Sequence, residues 1–150
     1  MPTSPEPRWP DAPLEAVVAH WQQQPLFALF GVELEALDDG YARLGVDREA
    51  VPLRGVRDSL NGGVVASLGD AAAQLCLSTQ LAPDEQLGPT HEVSVSYLTS
   101  ARGERTTAEA RLLRRGRRIA VCDVEVRDAA DGALNAKIRV SLGIVQLAPD

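Results

Sequence analysis

Apolar positions Leu14, Val17, Val18 and Trp21 recur at helical spacing and predict a helix from Leu14 to about Gln23, with Asp11 or Pro13 near its start. A short second turn over 25–30 leads to Gly31. There the period changes to two. Val32, Leu34 and Ala36 alternate with Glu33 and Glu35, Asp38-Asp39-Gly40 reads as a hairpin turn, and Ala42, Leu44 and Val46 alternate with polar or small partners on the returning strand. Residues 48–60 read as loop. Asn61 then opens a run of small and apolar residues that should stay helical to about Leu81, before Pro83. The remainder is β-rich: Val93, Val95 and Tyr97 alternate with serines, and 107–113, 119–127 and 134–145 are further strand candidates joined by Arg115-Gly116-Arg117 and Ala130-Asp131-Gly132. The order is a hairpin, one long apolar helix, and four strands that short connections make antiparallel. A helix that is apolar all round needs enclosure, and a curved antiparallel sheet wrapped about it supplies that. The expected class is α+β, a hotdog fold, with 13–150 as one domain and the proline-rich residues 1–12 as a disordered tail.

One feature of the long helix breaks its pattern. Asp70 is the only side chain with a formal charge between Asp58 and Asp84. Desolvating a carboxylate is costly, so an acid inside such a run is a candidate working group. The other reading is a structural acid paired with an arginine or with backbone donors. Ser67 and Gln74, at i−3 and i+4, share its face and are placed to orient a carboxylate or a water. At the start of the same helix, Asn61-Gly62-Gly63 combines a favoured N-cap with glycines that let a ligand approach the backbone. Free N–H groups there suit a developing oxyanion.

Composition narrows the classes further. A net charge of -6 over 150 residues argues against a nucleic-acid partner. Cys76 and Cys122 stand far apart inside apolar segments, so buried free thiols are expected and no metal site is called. No apolar run reaches the roughly 20 residues of a membrane span, and the proline-rich start is unlike a signal peptide. The reading is cytoplasmic, with no membrane partner.

The stretch Leu60-Asn61-Gly62-Gly63-Val64-Val65-Ala66-Ser67-Leu68-Gly69-Asp70 resembles the hotdog-fold acyl-CoA thioesterases related to phenylacetate-pathway proteins. That family writes it as His-Gly-Gly followed by an acid seven positions after the second glycine. The segment from Thr90 to Leu98 and the turn Arg114-Arg115-Gly116-Arg117 match further, so the resemblance covers residues 30–145. It implies thioester hydrolysis with Asp70 as base or nucleophile, backbone N–H groups of the Asn61, Gly62 and Gly63 segment as oxyanion hole, and Thr90 at a position that helps hold the water. It implies no cofactor beyond the coenzyme A of the substrate. Two positions depart from the family: Asn61 replaces its histidine, and its upstream asparagine falls at Gly55, with Asp58 where a glycine is usual. These departures favour, as the alternative, a non-catalytic acyl-CoA-binding hotdog protein. A hotdog dehydratase would need a histidine near the helix, and none lies between 21 and 90.

Eight residues separate Gly62 from Asp70, roughly 12 Å along one helix. One carbonyl cannot touch both groups of one chain, so a shared site requires a second copy, in a homodimer or a dimer of dimers. Arg114, Arg115, Arg117 and Arg118 around the turn glycine, and Arg102 at a strand end, are candidate ligands for the phosphates of coenzyme A, against the alternative of a solvated hairpin tip. His91 shares the parity of Val93 and Val95 and is expected to be a partly buried strand histidine.

Overall fold

In the computed structural model, which describes residues 6–148, the elements follow in the expected order. Helix α1 (Leu14–Gln22) turns at Gln23 and Gln24 into α2 (Pro25–Phe30), with Pro25 at its first turn and Gly31 closing it at φ 61°. The hairpin β1 (Glu33–Asp38) and β2 (Tyr41–Asp47) follows. Residues 48–60, read as loop, contain two single 3₁₀ turns and a bridge between Arg54 and Leu60. Then come α3 (Gly62–Ser78), β3 (Glu85–Tyr97), β4 (Arg105–Arg115), β5 (Ile119–Asp128) and β6 (Leu134–Gln146).

The strands form one antiparallel sheet in the order β1-β2-β4-β5-β6-β3. Along β4, β5 and β6 buried and open residues alternate, and Ala108, Ala110, Val124, Val126, Ile138 and Val140 face α3. The opposite face is charged: Lys137 Nζ lies 2.6 Å from Asp123 and 3.1 Å from Glu125, and Arg105 joins Glu35 and Asp47, each at 2.7 Å. A sheet with one apolar and one solvated face, curved about a single helix, is the hotdog architecture. Cys76 and Cys122 are buried free thiols, and their mutual hydrogen bond, together with burial, pushes the Cys76 thiol up from its ordinary value.

α3 stops at Ser78 rather than near Leu81. The hydroxyls of Ser78 and Thr79 donate to Leu75 O (2.6 Å) and Cys76 O (2.7 Å), and Thr79 Oγ1 also accepts the Gly40 N–H at 2.9 Å. The hairpin turn therefore fixes the helix end through a tertiary contact. β3 begins at Glu85, well before the visible alternation at Val93, because register shifts on both sides of Thr90 hide its period.

Two expectations about burial change. Within one chain α3 is covered on one side only: Leu68, Ala72, Leu75 and Cys76 are buried, whereas Gly63, Ser67, Asp70 and Gln74 form an open stripe. His91 is exposed, since the bulge between Thr90 and Glu92 breaks the parity on which its burial was inferred. Of the segment read as a tail, residues 1–5 lie outside the described residues. From residue 6 onward it makes contacts: Arg8 Nη1 donates to Ala82 O at 3.0 Å, Glu6 meets His20 at 3.0 Å, and Trp9 packs against the core.

A buried ion pair ties the end of the sheet beyond α3. Glu85, 6% exposed, accepts from Arg115, from Ala82 N–H at 2.9 Å and from Gln146 Nε2 at 2.9 Å. The Arg115 hydrogen bond is the main cause that holds its carboxyl down at about 2, against 4.5 for an ordinary glutamate. A depressed carboxyl stabilises the fold fully above its unfolded value, and that contribution fades as pH falls from about 4.5 toward about 2. It is worth on the order of 1–3 kcal/mol. Thermal unfolding as a function of pH should therefore show a Tm falling through that window, and Glu85→Gln should lower Tm at neutral pH and flatten the acid limb.

Candidate active site

Asp70 sits in the middle of the open stripe of α3. Gln74, one turn further on, donates from Nε2 to Oδ2 at 2.9 Å. Thr90 reaches in from β3 and donates from Oγ1 to Oδ1 at 2.7 Å. Thr90 faces the helix because the two register shifts around it rotate the strand there. The carboxylate is thus held by one donor on each oxygen, with no arginine or lysine bonded to it among the described residues. Acceptor capacity on both oxygens remains open toward the stripe. Ser67, expected to orient the carboxylate, instead donates back along the helix to Gly63 O at 2.8 Å. Asp70, Ser67 and Gln74 line one side of a pocket of about 310 Å3, and α1 and α2 supply the other side through Trp21, Leu26 and Phe27.

The start of α3 forms a second site. Asn61 is the N-cap, and its Oδ1 accepts the Gly63 N–H at 2.8 Å. Gly63, named as a candidate oxyanion donor, therefore has its N–H committed to the cap. Gly62 N–H has no acceptor among the described residues. Tyr97, which the sequence pattern placed only as a strand residue, lies over Gly62 and donates from its hydroxyl to Gly62 O at 2.5 Å. A Cβ at Gly62 would stand 3.3 Å from the Tyr97 ring, so glycine permits this close approach.

Gly62, Asn61 and Tyr97 line a cleft of about 490 Å3 with Leu98, Thr99 and Asn135. Its rim is the loop before α3, where Arg57 and Asp58 adopt φ 54° and 60°. Asp58 is held there by Arg48 at 2.7 Å. Gly55 is enclosed in the same loop: an added Cβ would lie 2.8 Å from both Leu60 O and Ser59 Oγ. No side chain fits at the position where the resembled family carries its asparagine.

The arginines divide between the two ends of α3. Arg102 is exposed and follows Ala101, whose carbonyl accepts from Leu60 N–H at 2.9 Å beside the helix start. Arg114 and Arg117 are exposed at the β4–β5 turn and have no ion-pair partner among the described residues. Arg115 is different. Its guanidinium is engaged by Glu85 and by Gly116 O at 2.7 Å, so it is removed from the phosphate candidates. The described residues hold no group of three or more His, Cys, Asp or Glu arranged for a metal, and no helix among them is long and apolar enough to cross a membrane.

Residues 58–134, which span α3 and the strands through β5, match the family model described as Thioesterase superfamily. The chain belongs to that superfamily. The medium/long-chain acyl-CoA thioesterase YigI of Escherichia coli is 33% identical over 117 residues, covering 69% of this chain and 76% of that protein. Among solved structures, the thioesterase HI1161 of Haemophilus influenzae superposes with a TM-score of 0.81 at 20% identity, over 91% of this chain and 93% of that one. A mutant of thioesterase PA1618 from Pseudomonas aeruginosa gives 0.80 at 22% identity, over 93% and 99%. The fold is thus a thioesterase-superfamily hotdog, and at the level of the family the chain is a thioester hydrolase.

Proposed function

We propose that Asp70 drives hydrolysis of the acyl-CoA thioester, as general base toward a water or as nucleophile, while Gly62 N–H receives the developing oxyanion. The observation that carries this reading is the Asp70 carboxylate itself, the one charge on α3, held by Thr90 and Gln74 on the open side of the helix. As base, Asp70 takes a proton from the water whose oxygen bonds to the thioester carbon, and collapse breaks the C–S bond and expels coenzyme A as thiolate. As nucleophile, Asp70 is acylated in the same displacement, and water then cleaves the mixed anhydride to free acid. A backbone N–H at a helix start, aided by the helix dipole, is suited to the oxygen that gains charge.

Because the two groups lie roughly 12 Å apart on one helix, each site takes Asp70 from one protomer and Gly62 from the other. β3 supports such a pairing. It is a 13-residue edge strand with Val93 and Tyr97 at 38% and 56% exposure, followed by Leu98 at 55%. Past the bulges beside Thr90, the regular edge from Val93 to Tyr97 is a ready template for strand addition. Pairing β3 with its two-fold copy extends the sheet and brings two open α3 stripes together. Light scattering should give twice the 16.0 kDa of the chain, or four times for a dimer of dimers.

A thiol-release assay over a panel of acyl-CoAs tests the reaction. A second reading, a module that binds acyl-CoA without cleaving it, is favoured by Asn61 and the closed loop at Gly55. Thiol release from any acyl-CoA excludes it, whereas tight binding with no release supports it. Arg102, Arg114 and Arg117 are the residues proposed for the phosphates of coenzyme A. Exposed guanidinium contacts weaken with ionic strength, so KM should rise about two- to fivefold between low and physiological salt. A KM independent of salt counts against all three.

A further inference from the structure

We infer that the pocket between Asp70 and the α1–α2 corner takes the acyl group, and that Trp21, Leu26 and Phe27 set its length and exclude charged acyl chains. The inference rests on the thioesterase reading, since it is Asp70 at the pocket's edge that places the scissile carbonyl there.

The cavities beside Gly62 and beside Asp70 differ in chemistry. The cleft at Gly62 presents Asn61, Tyr97, Thr99 and Asn135, and the Asn135 Oδ1 is buried without a partner. Asn61, Tyr97 and Thr99 are bonded within the chain, so the unpartnered Asn135 oxygen is the group there suited to an amide N–H of a pantetheine arm. The pocket at Asp70 is walled by Trp21, Leu26, Phe27, Pro25 and Ala71, and Asp70 is its only charged lining residue. Two of its three uncharged polar residues are occupied: Gln74 bonds to Asp70 and Ser67 to Gly63 O. Nothing charged is there to pair with a second carboxylate on an acyl chain, so a dicarboxylic acyl group would be buried beside Asp70 unpaired.

Size follows from the wall. Trp21 and Phe27 are 7% and 3% exposed and pack against each other with ring centroids 5.9 Å apart, so this side of the pocket is fixed. A cavity of about 150 Å3 holds a benzene ring, roughly 25 Å3 per carbon, so the pocket of about 310 Å3 accommodates on the order of ten carbons. An uncharged acyl group of up to about ten carbons fills it. Each methylene buried up to that limit is worth about fourfold in kcat/KM. Carbons beyond it leave this pocket and gain no further burial in it.

The test is the kcat/KM profile for acetyl-, butyryl-, hexanoyl-, octanoyl-, decanoyl-, palmitoyl- and succinyl-CoA, with dissociation constants measured for the same series. The profile should climb to octanoyl or decanoyl, then level or fall at palmitoyl, with succinyl-CoA at least tenfold below butyryl-CoA. Leu26 is only partly buried, so Leu26→Trp should fold and should cut the decanoyl-to-butyryl ratio at least tenfold. Trp21→Leu should move the optimum toward longer chains. A flat profile, or one that both variants leave in place, overturns the inference. If no acyl-CoA is hydrolysed, the dissociation constants still decide. Affinity that rises with chain length and falls in Leu26→Trp upholds the pocket while the hydrolytic reading fails; affinity indifferent to chain length overturns the pocket as well.

Discussion

Asp70→Asn is expected to lower thioester hydrolysis by roughly 100- to 10,000-fold, the range that a positioned general base contributes, without unfolding the chain. The substitution is nearly isosteric. Thr90 can still donate to the remaining side-chain oxygen, and a rotated Gln74 amide can accept from the new NH2 where it now donates. The local hydrogen bonds therefore reclose, and what is lost is the group that takes a proton or attacks carbon. Circular dichroism, Tm and the mass in solution should match the parent chain, and acyl-CoA affinity should change little. Asp70→Glu supplies a control with the charge retained. Its extra methylene displaces the carboxylate by more than 1 Å, which costs about 100-fold where geometry matters. If Asp70→Asn turns over substrate at the parent rate, the acid is structural and the assignment fails.

The fold was legible because the hydrophobic period changes cleanly along the chain. Alternation in β1, β2 and β4–β6 and the apolar, small-residue run of α3 required nothing beyond local pattern. Asp70 stood out for the same reason, as one charge within that run. What was not legible arose from tertiary contacts. The bulges beside Thr90 turn that residue toward the helix and His91 outward, and no local pattern announces them. Arg115 read as one of four equivalent arginines until Glu85, thirty residues away in sequence, proved to hold it. Trp21 read as one apolar position of a helix, and Phe27 fell in the short turn after it, yet the bend between α1 and α2 brings both to the pocket edged by Asp70. Asn61 and Gly63 were grouped with Gly62 as oxyanion donors; Leu53 O takes the Asn61 N–H at 3.4 Å and the cap takes the Gly63 N–H, so of the three only Gly62 keeps a free N–H.

Gly62→Pro isolates that N–H. Proline is favoured at the first helical position, where the missing donor has no partner within the helix. The preceding residue must be extended, and Asn61 already lies at φ −58° and ψ 139°. The ring would press on Tyr97, which is 56% exposed and free to move aside. The variant should therefore fold, and loss of one oxyanion donor should lower kcat by about 100- to 1,000-fold. Mixing it with Asp70→Asn chains then asks which protomer supplies which group. Two inactive homodimers, unfolded and refolded together, assort so that about half the dimers are hybrid. If each site draws Asp70 from one chain and Gly62 from the other, a hybrid holds one intact site and one doubly defective site, and about a quarter of the parent activity returns. If both groups served the same site from one chain, every hybrid site would carry a single defect and mixing would restore nothing. Recovery near a quarter would establish the shared site by activity alone, and its absence in well-formed hybrids would refute it.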